Sequence, residues 1–127
     1  MKKLLFMAAV IIGLSSCSKS NNDVSADTAV QYQFTTSSSS SYTITYTDEN
    51  NAAVTENFTG ISWTKVITTN QGKGFKSAQF TVSSTSYTAT NIKGSMQIMV
   101  NNKVEIEAPV AFDSARQEFF YKVVVFK

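Results

Sequence analysis

Residues 30–35 have the sequence Val-Gln-Tyr-Gln-Phe-Thr, and residues 42–47 have the sequence Tyr-Thr-Ile-Thr-Tyr-Thr. Apolar and polar side chains alternate in both stretches. Successive side chains of a β-strand point to opposite faces, so this period of two predicts strands that are buried on one face only. The same β-favouring residue types dominate the chain after residue 28, and no long stretch there has helical spacing of apolar residues. We therefore predict an all-β domain.

Clusters of turn-forming residues predict where the strands end. They are rich in serine, asparagine, aspartate and glycine. The predicted turns are Ser37–Ser41, Asp48–Asn51, Asn70–Gly74, Asn91–Gly94 and Asn101–Asn102. The last is the clearest, because alternating stretches flank it and asparagine tolerates the positive φ of a type I′ hairpin turn.

Further strands are predicted between these turns. They are Ala53–Phe58, Trp63–Thr69, Phe75–Val82, Tyr87–Thr90, Met96–Val100, Val104–Ala108 and Glu118–Phe126. Pro109 should close a strand at a sheet edge or in a loop, because proline cannot donate to a ladder. In the last strand, apolar residues from Phe119 to Phe126 point to both faces, so the strand is either buried on both faces or covers a partner, and we favour a central strand.

About seven to nine short strands in about a hundred residues are typical of an immunoglobulin-like antiparallel β-sandwich, and a small open barrel is the alternative. The domain should span residues 29–127. We expect the apolar faces of the strands to form its core. The predicted core residues are Tyr32, Phe34, Ile44, Phe58, Phe80, Ile98, Val100, Val123 and Val125.

The first seventeen residues predict export and lipidation. Two lysines precede an eleven-residue apolar run from Leu4 to Leu14. That length suits a secretory signal, whereas a transmembrane helix needs about 20 residues. The sequence Leu-Ser-Ser-Cys ending at Cys17 resembles the bacterial lipobox, whose cysteine receives a diacylglycerol and becomes the new N-terminus. We expect a lipoprotein signal peptide over residues 1–16, then a lipidated cysteine and flexible tether over residues 17–28.

The residue after the cysteine predicts the destination. In lipoprotein sorting an aspartate at this position favours the inner membrane, and here the residue is Ser18. We therefore expect a lipid-anchored protein of the cell envelope, at the outer membrane of a diderm bacterium and on its periplasmic or surface face.

Charge and composition exclude several function classes. The chain has 11 basic and 9 acidic residues, and loss of Lys2 and Lys3 with the signal leaves nine of each, a net charge of zero. A nucleic-acid partner is therefore not expected. The chain has no histidine, and its one cysteine is assigned to lipid. Histidine is the commonest general base near neutral pH, so no catalytic residue, metal site or cofactor is predicted.

Three local patterns resemble sites but have simpler explanations. Ser62 and Lys65 match the S-x-x-K spacing of acyl-enzymes, yet side chains three apart on a strand point to opposite faces. Glu105 and Glu107 form a pair on the wet face opposite Val104 and Ile106. The acidic turn beginning at Asp48 lacks the ligand spacing of a calcium loop. Two further tripeptides, at Thr28 and Ser114, match the Asp-Ser/Thr-apolar acceptor of periplasmic O-glycosylation, and modification there is a hypothesis.

A family resemblance runs from about Val30 to Ala108. The matching segments are Val30–Phe34, Ile44–Asp48, Ile61–Lys65, Gly74–Phe75, Ala78–Gln79 and Ile98–Val104. Together they resemble the MmpS-like domain, named for the small mycobacterial membrane proteins, which is an extracytoplasmic β-sandwich. Its best-known members assist large lipid transporters, and the resemblance implies a similar envelope or transporter partner here. Those members carry a transmembrane helix where this chain has the lipobox.

The function predicted from these observations is a noncatalytic accessory or binding module, tethered to the membrane through Cys17. Trp63 and Lys65 form its most family-like local pattern, and tryptophan beside a cation is common in interface anchors, so we predict partner contact there. The competing explanation for Trp63 is packing. The alternative functions are a glycan- or lipid-binding surface lipoprotein and an enzyme that uses carboxylate or lysine chemistry. The oligomeric state is left open.

Overall fold

A computed structural model describes residues 27–85 and 91–126. It confirms an all-β, antiparallel architecture. The described residues form six strands, and one turn of 3₁₀ helix at Gln71–Lys73 lies between the second and third. The strands are β1 (Thr28–Thr47), β2 (Ala53–Thr69), β3 (Ser77–Ser84), β4 (Ile92–Val100), β5 (Lys103–Phe112) and β6 (Glu118–Val124). Six strands are thus described where seven to nine were predicted, and the predicted strand at residues 87–90 lies outside the described residues.

β1 is the centre of the sheet. β2 pairs with it along nearly its whole length on one side, while β4 and β3 share the other side. β4 takes the first half of β1, from Val30 to Thr36, and β3 takes the second half, from Tyr42 to Tyr46. β5 and β6 extend the sheet beyond β4 and β3, which gives the order β5-β4-β1-β3-β6. The first half of β1 therefore lies in one part of the sheet, with β4 and β5, and its second half lies in another part, with β3 and β6.

The predicted turn at Ser37–Ser41 is wrong, because the chain bends there without leaving the sheet. Thr35 pairs with Ser62 and Ser40 pairs with Gly60, so four residues of β1 lie opposite one residue of β2. Extra residues in one strand bend it and increase its twist. Local bonds hold the bend, since the Thr36 hydroxyl lies 3.3 Å from the Ser38 carbonyl and 3.1 Å from the Tyr42 hydroxyl.

The two strands predicted at residues 53–58 and 63–69 are also one strand. β2 follows the bend of β1 and changes direction at Gly60, whose φ is +148°. That conformation is essentially restricted to glycine, so Gly60 allows the ladder to continue where other residues would end it.

The core lies between the two halves of the bent sheet. Rings from the two halves meet: Tyr32 and Phe80 have centroids 5.4 Å apart, and Phe34 and Tyr42 have centroids 4.9 Å apart. The arrangement combines the facing layers of a sandwich with the continuous sheet of an open barrel. The buried apolar residues are Val30, Tyr32, Phe34, Tyr42, Ile44, Tyr46, Ile67, Phe75, Ala78, Phe80, Val82, Ile92, Met96, Ile98, Val110, Phe112 and Phe119.

Five of the nine predicted core residues are buried completely. The other four are only partly buried: Phe58, Val123 and Val125 pack against the core from its margin, and Val100 is half-buried.

The hairpin turn between β4 and β5 is confirmed. Asn101 and Asn102 have φ of 50° and 65°, as a type I′ turn requires. Asn101 also exchanges hydrogen bonds with Ala29: its side-chain oxygen accepts from the Ala29 N–H at 2.9 Å, and its own N–H donates to the Ala29 carbonyl at 2.8 Å. The turn therefore fixes the start of β1.

β6 is an edge strand, which corrects the prediction of a central one. Among the described residues it pairs with β3 only. Its side chains alternate, with Phe119 buried and Phe120 52% exposed. β5 is the edge next to β4, and it contains Pro109 without ending there. A register shift opposite Ile98 and Met99 turns Val104 outward, so Val104 is not on the face opposite Glu105 as predicted.

The bend gives the domain two ends. Thr28, Thr47, Thr69 and the Asn101–Asn102 turn meet at one end, which we call the tether end because the chain enters there. The bend of β1, Gly60, Gly94 and the β5–β6 connection lie at the opposite end, which we call the distal end.

Candidate functional site

Trp63 lies on the inward face of β2, opposite Phe34 of β1. Its ring stacks on Phe80 with centroids 5.7 Å apart and contacts Tyr46 at 5.6 Å. Aromatic pairs at these distances add stability beyond the area that they bury. These contacts support the packing interpretation of Trp63.

Lys65 follows on the same inward face and is half-buried. Its Nζ lies 5.8 Å from the ring centroid of Tyr46, within the range of a cation–π contact. Trp63 and Lys65 therefore share Tyr46 as a neighbour. The structure brings the two predicted residues together, but around a buried ring rather than on an open surface.

Tyr46 is neutral at physiological pH. Its pKa is raised to about 12, chiefly by burial and then by the neighbouring Glu56 carboxylate. Burial likewise raises the pKa of Tyr32, whose hydroxyl donates to the Thr47 carbonyl at 2.8 Å. The Tyr32 hydroxyl therefore links the two halves of β1.

The inward charges of β2 have a structural role. Glu56 and Lys65 are half-buried on the inner face of a strand whose outer edge has no partner among the described residues. Inward-pointing charges discourage another strand from pairing with an edge, because the added strand would bury them. Packing and edge protection therefore account for Trp63 and Lys65 without a partner, and partner contact at these residues stays a prediction.

The other predicted residues are placed as follows. Cys17 lies outside the described residues. Thr28 is the first residue of β1 and is 7% exposed, whereas Ser114 is exposed in the β5–β6 connection. A glycosyltransferase acting on the folded domain would therefore reach Ser114 and not Thr28. Ser62 is exposed on the face opposite Lys65, and no acyl-enzyme pair forms.

A groove at the distal end was not predicted from the sequence. It has a volume of about 530 Å³ and is lined by Lys93, Gly94, Pro109, Val110, Ala111, Asp113, Arg116 and Phe119. The guanidinium of Arg116 lies 4.1 Å from the ring centroid of Phe119. The floor is thus apolar and aromatic, and the rim carries two cations. No periodicity could have found it, because it joins β4, β5 and the connection to β6.

Asp113 shapes one wall of this groove. Its carboxylate oxygen Oδ1 accepts hydrogen bonds from the backbone N–H groups of Ala115 and Arg116, both at 2.8 Å. In the part of the chain that the structure describes, Lys103 and Glu105 at 3.9 Å form the only ion pair, so neither groove cation is neutralised by a carboxylate there. The groove therefore suits a ligand or partner with an anionic group and an apolar portion.

No protein-family model matches the chain, and a comparison with curated proteins found no match. Within residues 27–85 and 91–126, no helix has the length and apolar character needed to cross a bilayer. In the same residues, no three acidic, histidine or cysteine side chains are placed to share a metal ion.

Proposed function

We propose that this protein is a lipid-anchored, noncatalytic binding or accessory module of the cell envelope. The observation that carries the proposal is the Leu-Ser-Ser-Cys sequence ending at Cys17, eleven residues before the first strand residue, Thr28. Two or more acyl chains hold a domain at a membrane durably, at about 0.8 kcal/mol per buried CH₂. The noncatalytic role rests on the sequence, which offers no histidine and assigns its one cysteine to lipid.

The tether limits how far the domain can lie from the membrane. Eleven residues span at most about 36–40 Å when fully extended. The chain enters at Thr28, beside Thr69 and the Asn101–Asn102 turn. The tether end is therefore held within this distance of the membrane, and we propose that the distal end with its groove is presented to the envelope.

The proposed partner is an envelope protein that contacts the distal end. The MmpS-like pattern supports a transporter as that partner. A photo-crosslinking amino acid at Ala115, beside the groove, should capture it in the native host. The same label at Lys73, at the tether end, is the matched control. Capture from position 73 and not from position 115 would contradict the proposed orientation.

The groove favours a second candidate, the binding of an anionic lipid. Lys93 and Arg116 would pair with a phosphate or carboxylate, while Val110 and Phe119 would contact the acyl portion. Vesicles containing an anionic phospholipid should release a soluble form of the domain more readily after Arg116→Ala than after Lys122→Ala, a cation on the outer face of β6. Equal release of the two variants would mean that the domain binds the vesicles only by non-specific charge attraction, and that the groove is not a lipid-binding site.

A further inference from the structure

The sheet has three edges among the described residues, and they are protected unequally. β5 carries Lys103, Glu105, Glu107 and Pro109, which are the charged and proline residues that natural edges use against unwanted pairing. β2 is protected by its bend and its inward charges. β6 carries the charges Glu118 and Lys122, but it has neither proline nor a bulge, and its apolar side chains Phe120 and Val124 are 52% and 56% exposed. β6 is therefore the edge most open to another strand.

The pairing of β6 with β3 shows which of its backbone groups point outward. The Ser84 N–H donates to the Gln117 carbonyl at 2.8 Å, and the Val125 N–H donates to the Lys76 carbonyl at 2.9 Å. Bonded and non-bonded residue pairs alternate in an antiparallel ladder. The odd-numbered residues from 117 to 125 therefore face β3, and the even-numbered residues direct their N–H and C=O groups to the free edge.

The same even-numbered residues place their side chains on the outer face. They are Glu118, Phe120, Lys122 and Val124, and all four are exposed. Glu118 accepts a hydrogen bond from the Ser83 hydroxyl at 2.9 Å through Oε2, which leaves Oε1 for another donor. A negative and a positive charge thus lie at equal distances on either side of Phe120.

We propose that two copies of this chain associate through β6, antiparallel, about a two-fold axis at Phe120. In this register Glu118 of each copy lies opposite Lys122 of the other, and the two Phe120 side chains lie opposite each other. The three even-numbered pairs would exchange six backbone hydrogen bonds and form one sheet across both molecules. Opposite charges and aromatic pairs placed directly across strands are stabilising, and a two-fold interface is self-complementary in this way.

Neighbouring two-fold registers fit less well. An axis at Tyr121 would place Phe120 opposite Lys122 and Glu118 opposite Val124, which loses both ion pairs. An axis at Lys122 would place two ammonium groups opposite each other, which is destabilising. The charges of β6 therefore select the axis at Phe120.

Single cysteines test this register in the full-length protein, processed as its host processes it. Phe120→Cys should give a disulfide-linked dimer on mild oxidation, because directly opposed residues of a bonded pair have Cα atoms about 5.5 Å apart, within the range that a disulfide requires. Val124→Cys is the matched control on the same face. Its two copies would lie eight positions apart, about 27 Å, and should not crosslink. The wild-type protein is the control that shows how much dimer forms through any reaction of Cys17.

The proposal is overturned if Phe120→Cys forms no more dimer than Val124→Cys or wild type. It is also overturned if Lys122→Cys crosslinks best, since that places the axis elsewhere, or if β6 captures a different protein instead of a second copy.

A charge exchange tests the ion pairs independently. Glu118→Lys should weaken self-association about tenfold, because it sets like charges opposite each other in two symmetric pairs. The double change Glu118→Lys with Lys122→Glu should restore it to near the wild-type dissociation constant. Sedimentation in detergent measures both. Failure of the double change to recover association would contradict the pairing.

Discussion

Gly94→Ala should destabilise the domain at the place where β1 bends. Gly94 lies in β4 opposite Thr36 of β1. A methyl group added to Gly94 would overlap the Thr35 carbonyl oxygen and lie 3.2 Å from the Thr36 Cα. Both are backbone atoms of the neighbouring strand, so no side-chain rotation can relieve the overlap.

The expected magnitude follows from two opposing effects. Overpacking by one methyl group costs typically about 1–3 kcal/mol. Replacement of glycine also restricts the unfolded chain, which returns about 0.4–1 kcal/mol. We expect a net loss of about 1–2 kcal/mol in the free energy of unfolding, or about 4–16 °C in Tm for a domain of this size.

Urea unfolding monitored by the fluorescence of Trp63, the chain's single tryptophan, measures this loss. Gly72→Ala is the matched control, because Gly72 is exposed and the nearest atom to its added methyl is the Asn70 side-chain oxygen at 3.2 Å. The control should stay within about 0.5 kcal/mol of wild type. Equal stability of wild type and both variants would refute the close approach of β4 to the bend.

Three further predictions follow from the core and the Trp63 cluster. Ile98→Ala should lower the free energy of unfolding by about 2–5 kcal/mol, because Ile98 is 0% exposed. Val123→Ala should lower it less, because Val123 lies at the core margin. Equal losses of the two variants in urea unfolding would contradict this difference. The raised pKa of Tyr46 means that the folded state holds the phenolic proton more tightly than the unfolded state does. The resulting stabilisation is complete below pH 10 and is lost as pH rises towards 12. Alkaline titration followed by circular dichroism should therefore show a loss of folded protein in that pH range, and Tyr46→Phe should reduce this loss. Trp63→Ala should lower stability, while Lys65→Ala should leave the fold intact, and a pull-down from host envelopes that loses the same partner with both folded variants would instead support an interface at these residues.

Strands and turns could be predicted from the sequence where they depend on neighbouring residues alone. The period of two placed Tyr32, Phe34 and Ile44 on one buried face, and it did so correctly. The positive φ of Asn101 and Asn102 followed from the tolerance of asparagine for that conformation. Each of these features depends on a few neighbouring residues.

The bends and edges could not be predicted in this way. Ser37–Ser41 has a turn composition, yet the chain keeps its ladder because β2 bends with it at Gly60. Residues Phe119–Phe126 include apolar side chains on both faces, yet β6 is an edge strand. Which strands lie beside it depends on parts of the chain that are distant in sequence. The distal groove arises from the same long-range arrangement, so its lining residues carry no common local pattern.

Lipidation of Cys17 is the claim on which the proposed function most directly depends. Cells of the native host grown with a labelled fatty acid should yield a labelled protein in the membrane fraction, and intact mass should show loss of residues 1–16 with an acylated cysteine. Cys17→Ala should abolish the label and leave an unprocessed or soluble precursor. A wild-type protein that fractionates as soluble and carries no fatty acid would contradict the account.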